Sequence, residues 1–333
     1  MKKIINEPAA FVDEFVEGIL LAHPDLLKTP GDDLRVMVRA DAPVAGKVGI
    51  VTGGGSGHLP LFKGYVGHGL LDGVAIGNVF SSPSSSQVLE ATKAVDGSAG
   101  VLYLYGNYGG DVFNFDLATD MAELEGIKTR TVLGRDDVAS QPKERAADRR
   151  GVAGIMFAFK AAGAAAERGD SLDQVAAVAE DIIDHTATMG VGLRPTILPT
   201  TGKPSFDLSE DEMEVGIGIH GEPGFHRGEL ETADNIAKTL TDRLVADLSL
   251  TSGGRVAVLV NGMGATPLEE LYVLFRRVHQ ALTEKGITVE KNYVGEYATS
   301  LEMAGASISL LALNDDRLAL LNAPAQSPFF KEG

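Results

Sequence analysis

The 333-residue chain contains no cysteine, which excludes disulfides, thiolate nucleophiles and Cys-ligated zinc together and suits a reducing compartment. Basic residues are outnumbered, 29 against 46 acidic, and the net charge of −17 repels phosphate backbones and anionic lipid. Nucleic acid and membrane surfaces are therefore poor partners. No apolar run approaches a membrane span, and the basic tip Met1-Lys2-Lys3 is interrupted by Asn6, Glu7 and Pro8 before a signal-peptide core forms. A soluble cytoplasmic protein is expected. Walker A and protein-kinase catalytic-loop sequences are missing too, so no familiar nucleotide cradle is present. Neither repeats nor low-complexity tracts appear.

What the chain does have is glycine at strand ends. Lys47 to Thr52 reads as a short apolar strand emptying into Gly53-Gly54-Gly55-Ser56-Gly57-His58, where four glycines in five positions admit positive φ and close approach of a ligand to main-chain N–H groups. The spacing matches neither a dinucleotide fingerprint nor a P-loop, and His58 replaces the last glycine of a nucleophile elbow, which weakens a serine hydrolase through Ser56. A binding turn and a plain strand-to-helix turn both remain open.

The pattern recurs at Gly77 to Pro83 and at Val101 to Tyr105, the latter leaving into Gly106-Asn107-Tyr108-Gly109-Gly110-Asp111. A helix is expected from near Asn114, a strand over 128–133, and helices over 151–166 and 171–188. The first of these two is apolar nearly all round and so buried; the second has Ser171 and Gln174 at capping-box spacing. Strands alternating with helices predict a largely parallel sheet covered on both faces, with ligands at the carboxyl ends of its strands. Asp111 then faces the same crevice as His58, although it also suits an N-cap or Asx turn.

Prolines and glycines over 190–204 suggest a boundary between a domain of residues 1–190 and one of residues 191–333. The second opens with a strand over 212–219 that delivers His220 into Gly221-Glu222-Pro223-Gly224. A strand from Arg255, a helix capped by Thr266, Pro267 and Glu269, and strands near 287–293 and 308–313 complete it. His23, His185, His226 and His279 read as structural or solvent-facing. His58, Asp111 and His220 stand out because each closes an apolar strand on a glycine turn. Histidine can act as acid, base or nucleophile and an aspartate accepts protons, so a polyol-like substrate fits. A metal is disfavoured, since the three lack helical ligand spacing.

Gly53–His58, Asn107–Asp111 with Asn114-Phe115, and Gly218-Ile219-His220-Gly221-Glu222-Pro223-Gly224 closely resemble the dihydroxyacetone kinase K domain. The resemblance extends to Arg39–Val48, Gly202-Lys203-Pro204-Ser205-Phe206 and Gly264-Ala265-Thr266-Pro267. It implies two α/β domains, each with a largely parallel or mixed sheet flanked by helices as in DegV-like proteins, in a homodimeric subunit of glycerol metabolism. By the same resemblance His220 adds covalently to a ketose carbonyl as a hemiaminal, His58 hydrogen-bonds the substrate, and Asp111 accepts the proton of the attacking hydroxyl. Gly55, Ser56, Gly57 and Gly106 line the pocket. This chain is expected to bind neither cofactor nor metal; ATP or ADP with magnesium belongs on a separately encoded L subunit, recharged in some relatives by a phosphotransferase-system protein. Gly106 stands where many relatives have Lys, and Leu59 where Glu is common, which suggests a roomier pocket and erythrulose as substrate. Some relatives keep the fold as coactivators of transcription factors.

Overall fold

A computed structural model describes residues 2–333. Two six-stranded sheets share one layer of helices. The first sheet holds β1 (Leu27–Lys28), β2 (Val36–Arg39), β3 (Gly49–Ser56), β4 (Gly73–Val79), β5 (Val101–Gly106) and β6 (Thr129–Gly134), in the order β1-β2-β4-β3-β5-β6. Its last four strands are parallel, and β1 and β2 add an antiparallel edge. The second holds β7 (Thr186–Arg194), β8 (Glu212–Val215), β9 (His226–Glu229), β10 (Arg255–Gly262), β11 (Thr288–Gly295) and β12 (Ala304–Ala312), ordered β11-β10-β12-β7-β8-β9. Only β10 and β11 pair in parallel there. The short hairpin β13 (Ala325–Gln326) and β14 (Lys331–Glu332) closes the chain.

Side chains alternate across each sheet and so feed two cores. On β5, Val101, Tyr103 and Tyr105 pack with α2 (Ser85–Val95) and α3 (Gly109–Leu124), while Leu102 and Leu104 face α1 (Phe11–Ala22), α4 (Ile155–Glu167) and α5 (Leu172–Asp184). On β10, Ala257 and Leu259 join that same inner core, and Val256, Val258 and Val260 pack with α6 (Ala233–Asp247) and α7 (Leu268–Glu284). Helix α4 lies between the sheets, against α5 and α8 (Asp315–Asn322). That is why its sequence is apolar on every side: twelve of its residues are buried. The Asp136 carboxylate receives the Val152 and Gly154 N–H groups at 2.9 and 2.8 Å where the chain enters this helix.

Several expected boundaries move. The stretch Gly53–Ser56 is strand, not turn, because its glycines lie flat under neighbours: a Cβ on Gly55 would fall 2.8 Å from the Ser81 nitrogen. Helix α3 starts at Gly109 rather than Asn114, which puts Asp111 in its first turn. The helix expected over 171–188 ends at Asp184, and Thr186–Arg194 is a central strand pairing with β12 and β8. We therefore propose that the lobes divide at the α5–β7 turn rather than at 190. The strand expected over 212–219 stops at Val215, and 226–229, expected as loop, is an edge strand. Thr266 does not cap α7; its hydroxyl donates to Gly305 O at 2.6 Å and accepts from Gly305 N at 2.9 Å.

The Arg39–Lys47 motif is structural. Arg39 and Lys47 converge on the buried Asp72 carboxylate at 3.0 and 2.6 Å, tying the end of β2 and the approach to β3 to the start of β4.

Candidate active site

Ser56 ends β3 with its hydroxyl wholly buried and donating to Gly77 O on β4 at 2.8 Å. What this residue can offer a ligand is its main chain. At Gly57 φ is +106°, and the turn it makes presents His58 to the second lobe. Leu301 N donates to Gly57 O at 2.7 Å, the Thr299 hydroxyl donates to Leu59 O at 3.0 Å, and the His58 Nδ1 lies 2.8 Å from Thr299 O. A carbonyl can only accept, so Nδ1 carries the proton and Nε2 presents a lone pair. That Nε2 is buried with no partner among the described residues. Burial, then the neighbouring His220, holds His58 well below its ordinary range, so it is neutral.

Phe80, with φ of +55° in the β4–α2 turn, stacks its ring on His58 at 5.0 Å and meets His220 edge-on at 5.3 Å. Tyr108 caps the other side of His220 with ring centroids 4.9 Å apart. The His58 and His220 rings are 4.8 Å apart. His220 is only partly buried and sits in a tight turn closed by Gly221 at φ +87°. Its Nδ1 and its main-chain N–H each lie 2.9 Å from one oxygen of Glu222. A carboxylate can only accept, so His220 Nδ1 carries a proton, and in the neutral ring the lone pair lies on Nε2. Burial pushes the Glu222 carboxyl up, but the hydrogen bond and charge of His220 and the charge of Arg150 outweigh it and leave it at about 2. Arg150 Nη1 stands 3.7 Å from Glu222 and Arg150 Nε donates to Asp137 at 2.9 Å.

Asp111 projects from the first turn of α3, 8 % exposed, with one carboxylate oxygen buried and unpartnered among the described residues. Burial pushes it up to about 6, against the opposing pulls of Ser82 and His220. Gly106 lies at the end of β5, where a Cβ would fall 3.1 Å from the Tyr108 ring; its bareness lets that tyrosine settle against His220. Leu59 belongs elsewhere. It lines a separate cavity with Phe11 and Phe15, so it does not enlarge this pocket. Glu222, Tyr108, Phe80 and Arg150 were not singled out from sequence as site residues, although Glu222 and Tyr108 stand in the quoted motifs.

Two imidazoles, one buried and one partly buried, together with a carboxylate that ionises near neutrality, are groups able to supply nucleophile and base chemistry. Residues 17–329 match the Dak1 domain. The chain belongs to that family. It is 46 % identical over 317 residues to the PTS-dependent dihydroxyacetone kinase 1, dihydroxyacetone-binding subunit DhaK of Listeria innocua, covering 95 % of this chain and 96 % of that one. It is 41 % identical to the L-erythrulose 1-kinase of Mycolicibacterium smegmatis, where the match spans all of this chain but 58 % of that longer one. Among solved structures, the dihydroxyacetone kinase of C. freundii superposes with a TM-score of 0.90 at 30 % identity, covering 99 % of this Dak1 chain and 60 % of that one. The dihydroxyacetone kinase operon co-activator Dha-DhaQ superposes with a TM-score of 0.87 at 34 % identity, covering 96 % and 97 %. Among the described residues no helix is long and apolar enough to cross a membrane.

Proposed function

We propose that this Dak1 chain is the ketose-binding subunit of a cytoplasmic kinase for dihydroxyacetone or a short relative such as erythrulose. The observation that carries the reading is the His220–Glu222 hydrogen bond at 2.9 Å, which holds the imidazole through Nδ1 beside the His58 ring. As Nε2 of the neutral ring bonds to the ketose C2, the carbonyl π electrons move to oxygen, which takes up one proton from bulk solvent, so the adduct gains one positive charge overall. Positive charge then develops on the ring, opposite an ionised Glu222. Only a carbonyl can accept this nucleophile, so glycerol is excluded, and the adduct pins the terminal hydroxyl for transfer. His58, neutral and lone-paired at Nε2, accepts a hydrogen bond from a substrate hydroxyl. Asp111 accepts the proton of the attacking hydroxyl, and Gly55, Ser56, Gly57 and Gly106 supply main chain and space around the sugar.

We assign the nucleotide and its magnesium to an L unit, a separate partner of this chain. Among the described residues no group of three or more His, Asp or Glu is placed to hold a metal ion. A homodimer, recharged through a phosphotransferase-system protein, completes the proposal. The test is carbon-13 NMR with ketose labelled at C2. The carbonyl signal should move into the range of a saturated carbon on the wild-type chain and stay in place on folded His220→Ala; an unmoved signal on both would sink the reading. The co-activator reading predicts the same adduct without turnover in the presence of an L subunit, and Asp111, unpartnered and buried, speaks for turnover.

A further inference from the structure

A cavity of about 520 Å³ lies between the N-terminal segment, α1 and the Gly57–Leu59 turn, lined by Phe11, Phe15, Ile19, Leu59 and Leu301 and, from the turn after Pro60, by Lys63. Its lining contains neither His58, Asp111 nor His220, although Gly57 and Thr299, which holds His58, form part of the wall between it and the ketose site. Three lysines of this chain are buried. Lys47 has Asp72 as counterion and Lys160 donates to Leu320 O at 2.8 Å. Lys63, 2 % exposed, makes no hydrogen bond or ion pair with any described residue, and its Nζ stands 5.2 Å from the centre of the Phe15 ring. Burial, with a contribution from Arg35, pushes its amine down to about 7. A buried ammonium without an anion is costly, and neither carboxylate of the lining, Glu296 or Glu302, makes an ion pair with it.

We propose that this cavity is a second ligand site that takes a small amphipathic monocarboxylate, its hydrocarbon chain against Phe11, Phe15 and Leu59 and its carboxylate on the Lys63 amine. A polyol would leave the apolar lining unsatisfied. A dianion would meet Glu296 and Glu302 at the rim, where Lys2 and Lys3 also stand and Lys3 is already paired with Glu302. One negative charge on an apolar body matches what is present.

Calorimetry on the full chain with octanoate and with octanol tests this, since the two share a chain and differ in the head. Octanoate should bind one to one and roughly tenfold tighter, the scale of one charge-assisted hydrogen bond. Lys63→Met should erase that difference, and Ile19→Trp, which fills the cavity, should weaken both. Anion binding raises the affinity of Lys63 for its proton, so at pH 8 the wild-type chain should take up protons, read as a binding heat that varies with the ionisation enthalpy of the buffer. Equal affinity for the two probes, octanoate binding unchanged in Lys63→Met, or no saturable binding overturns the proposal. Should Lys63→Met not fold, the buffer series on the wild-type chain decides alone: binding without proton uptake overturns it.

Discussion

The imidazoles of His58 and His220 meet at nearly right angles with centroids 4.8 Å apart, one delivered by each lobe. Each is oriented through Nδ1, His58 by the Thr299 carbonyl and His220 by the Glu222 carboxylate. The difference in partner divides the labour. A carbonyl leaves His58 neutral in its buried position, whereas a carboxylate would stabilise the positive charge of the adduct proposed at His220.

Glu222→Gln should lower kcat/KM roughly 10- to 100-fold, the range for losing a charge-assisted hydrogen bond of ~1.5–3 kcal/mol. The His220 N–H and Nδ1 use different oxygens of Glu222, and in the amide one of those two acceptors becomes an NH2 donor that faces a donor. With the carboxyl at about 2, Glu222 is ionised throughout pH 5 to 9, so the loss should be present across that whole range, which a pH series on both enzymes would check.

Asp111→Asn should separate binding from transfer: labelled ketose still forms its adduct while kcat with an L subunit falls by about 10²-fold or more. Because the native carboxyl sits at about 6, above its unfolded value, the native state binds more protons between roughly pH 4 and 6. Stability contributed by Asp111 therefore declines as pH rises through that window. The Asn variant should be more stable than wild type at pH 7 by about 1–3 kcal/mol and equal to it near pH 4, read by urea melts at both pH values. The wild-type rate should fall below pH 6.

Arg150 holds two carboxylates at once, Asp137 at 2.9 Å and Glu222 at 3.7 Å. Arg150→Met leaves Asp137, 2 % exposed, without its counterion and should cost about 3 kcal/mol. Adding Asp137→Asn should restore most of the stability yet not kcat/KM, since Glu222 remains unsupported. Denaturant midpoints and steady-state kinetics across the double-mutant cycle measure both.

Gly106→Ala should press on Tyr108, which lies 3.1 Å from the added carbon, and displace it from His220. The larger ketose should suffer more, lowering the erythrulose-to-dihydroxyacetone ratio of kcat/KM by roughly tenfold. An unchanged ratio would show that this glycine does not set substrate size.

The chain's local chemistry was sufficient for the strand-to-glycine exit that precedes Asp111, for the glycine turn of His220, and for the buried character of α4, because propensity, turn residues and apolar periodicity act over a few neighbours; it ended β3 at Thr52, whereas the strand runs on through Ser56. It misled at Thr186–Arg194, where threonines and glycines read as a helix end and a linker; the ladders to β12 and β8 make that stretch a central strand. Only the tertiary structure decided that Thr299 orients His58, that Arg150 backs Glu222, and that Leu59 and Lys63 face a cavity of their own. Those relations join segments far apart in the chain, and the proton a histidine keeps depends on the acceptor that folding brings to its ring.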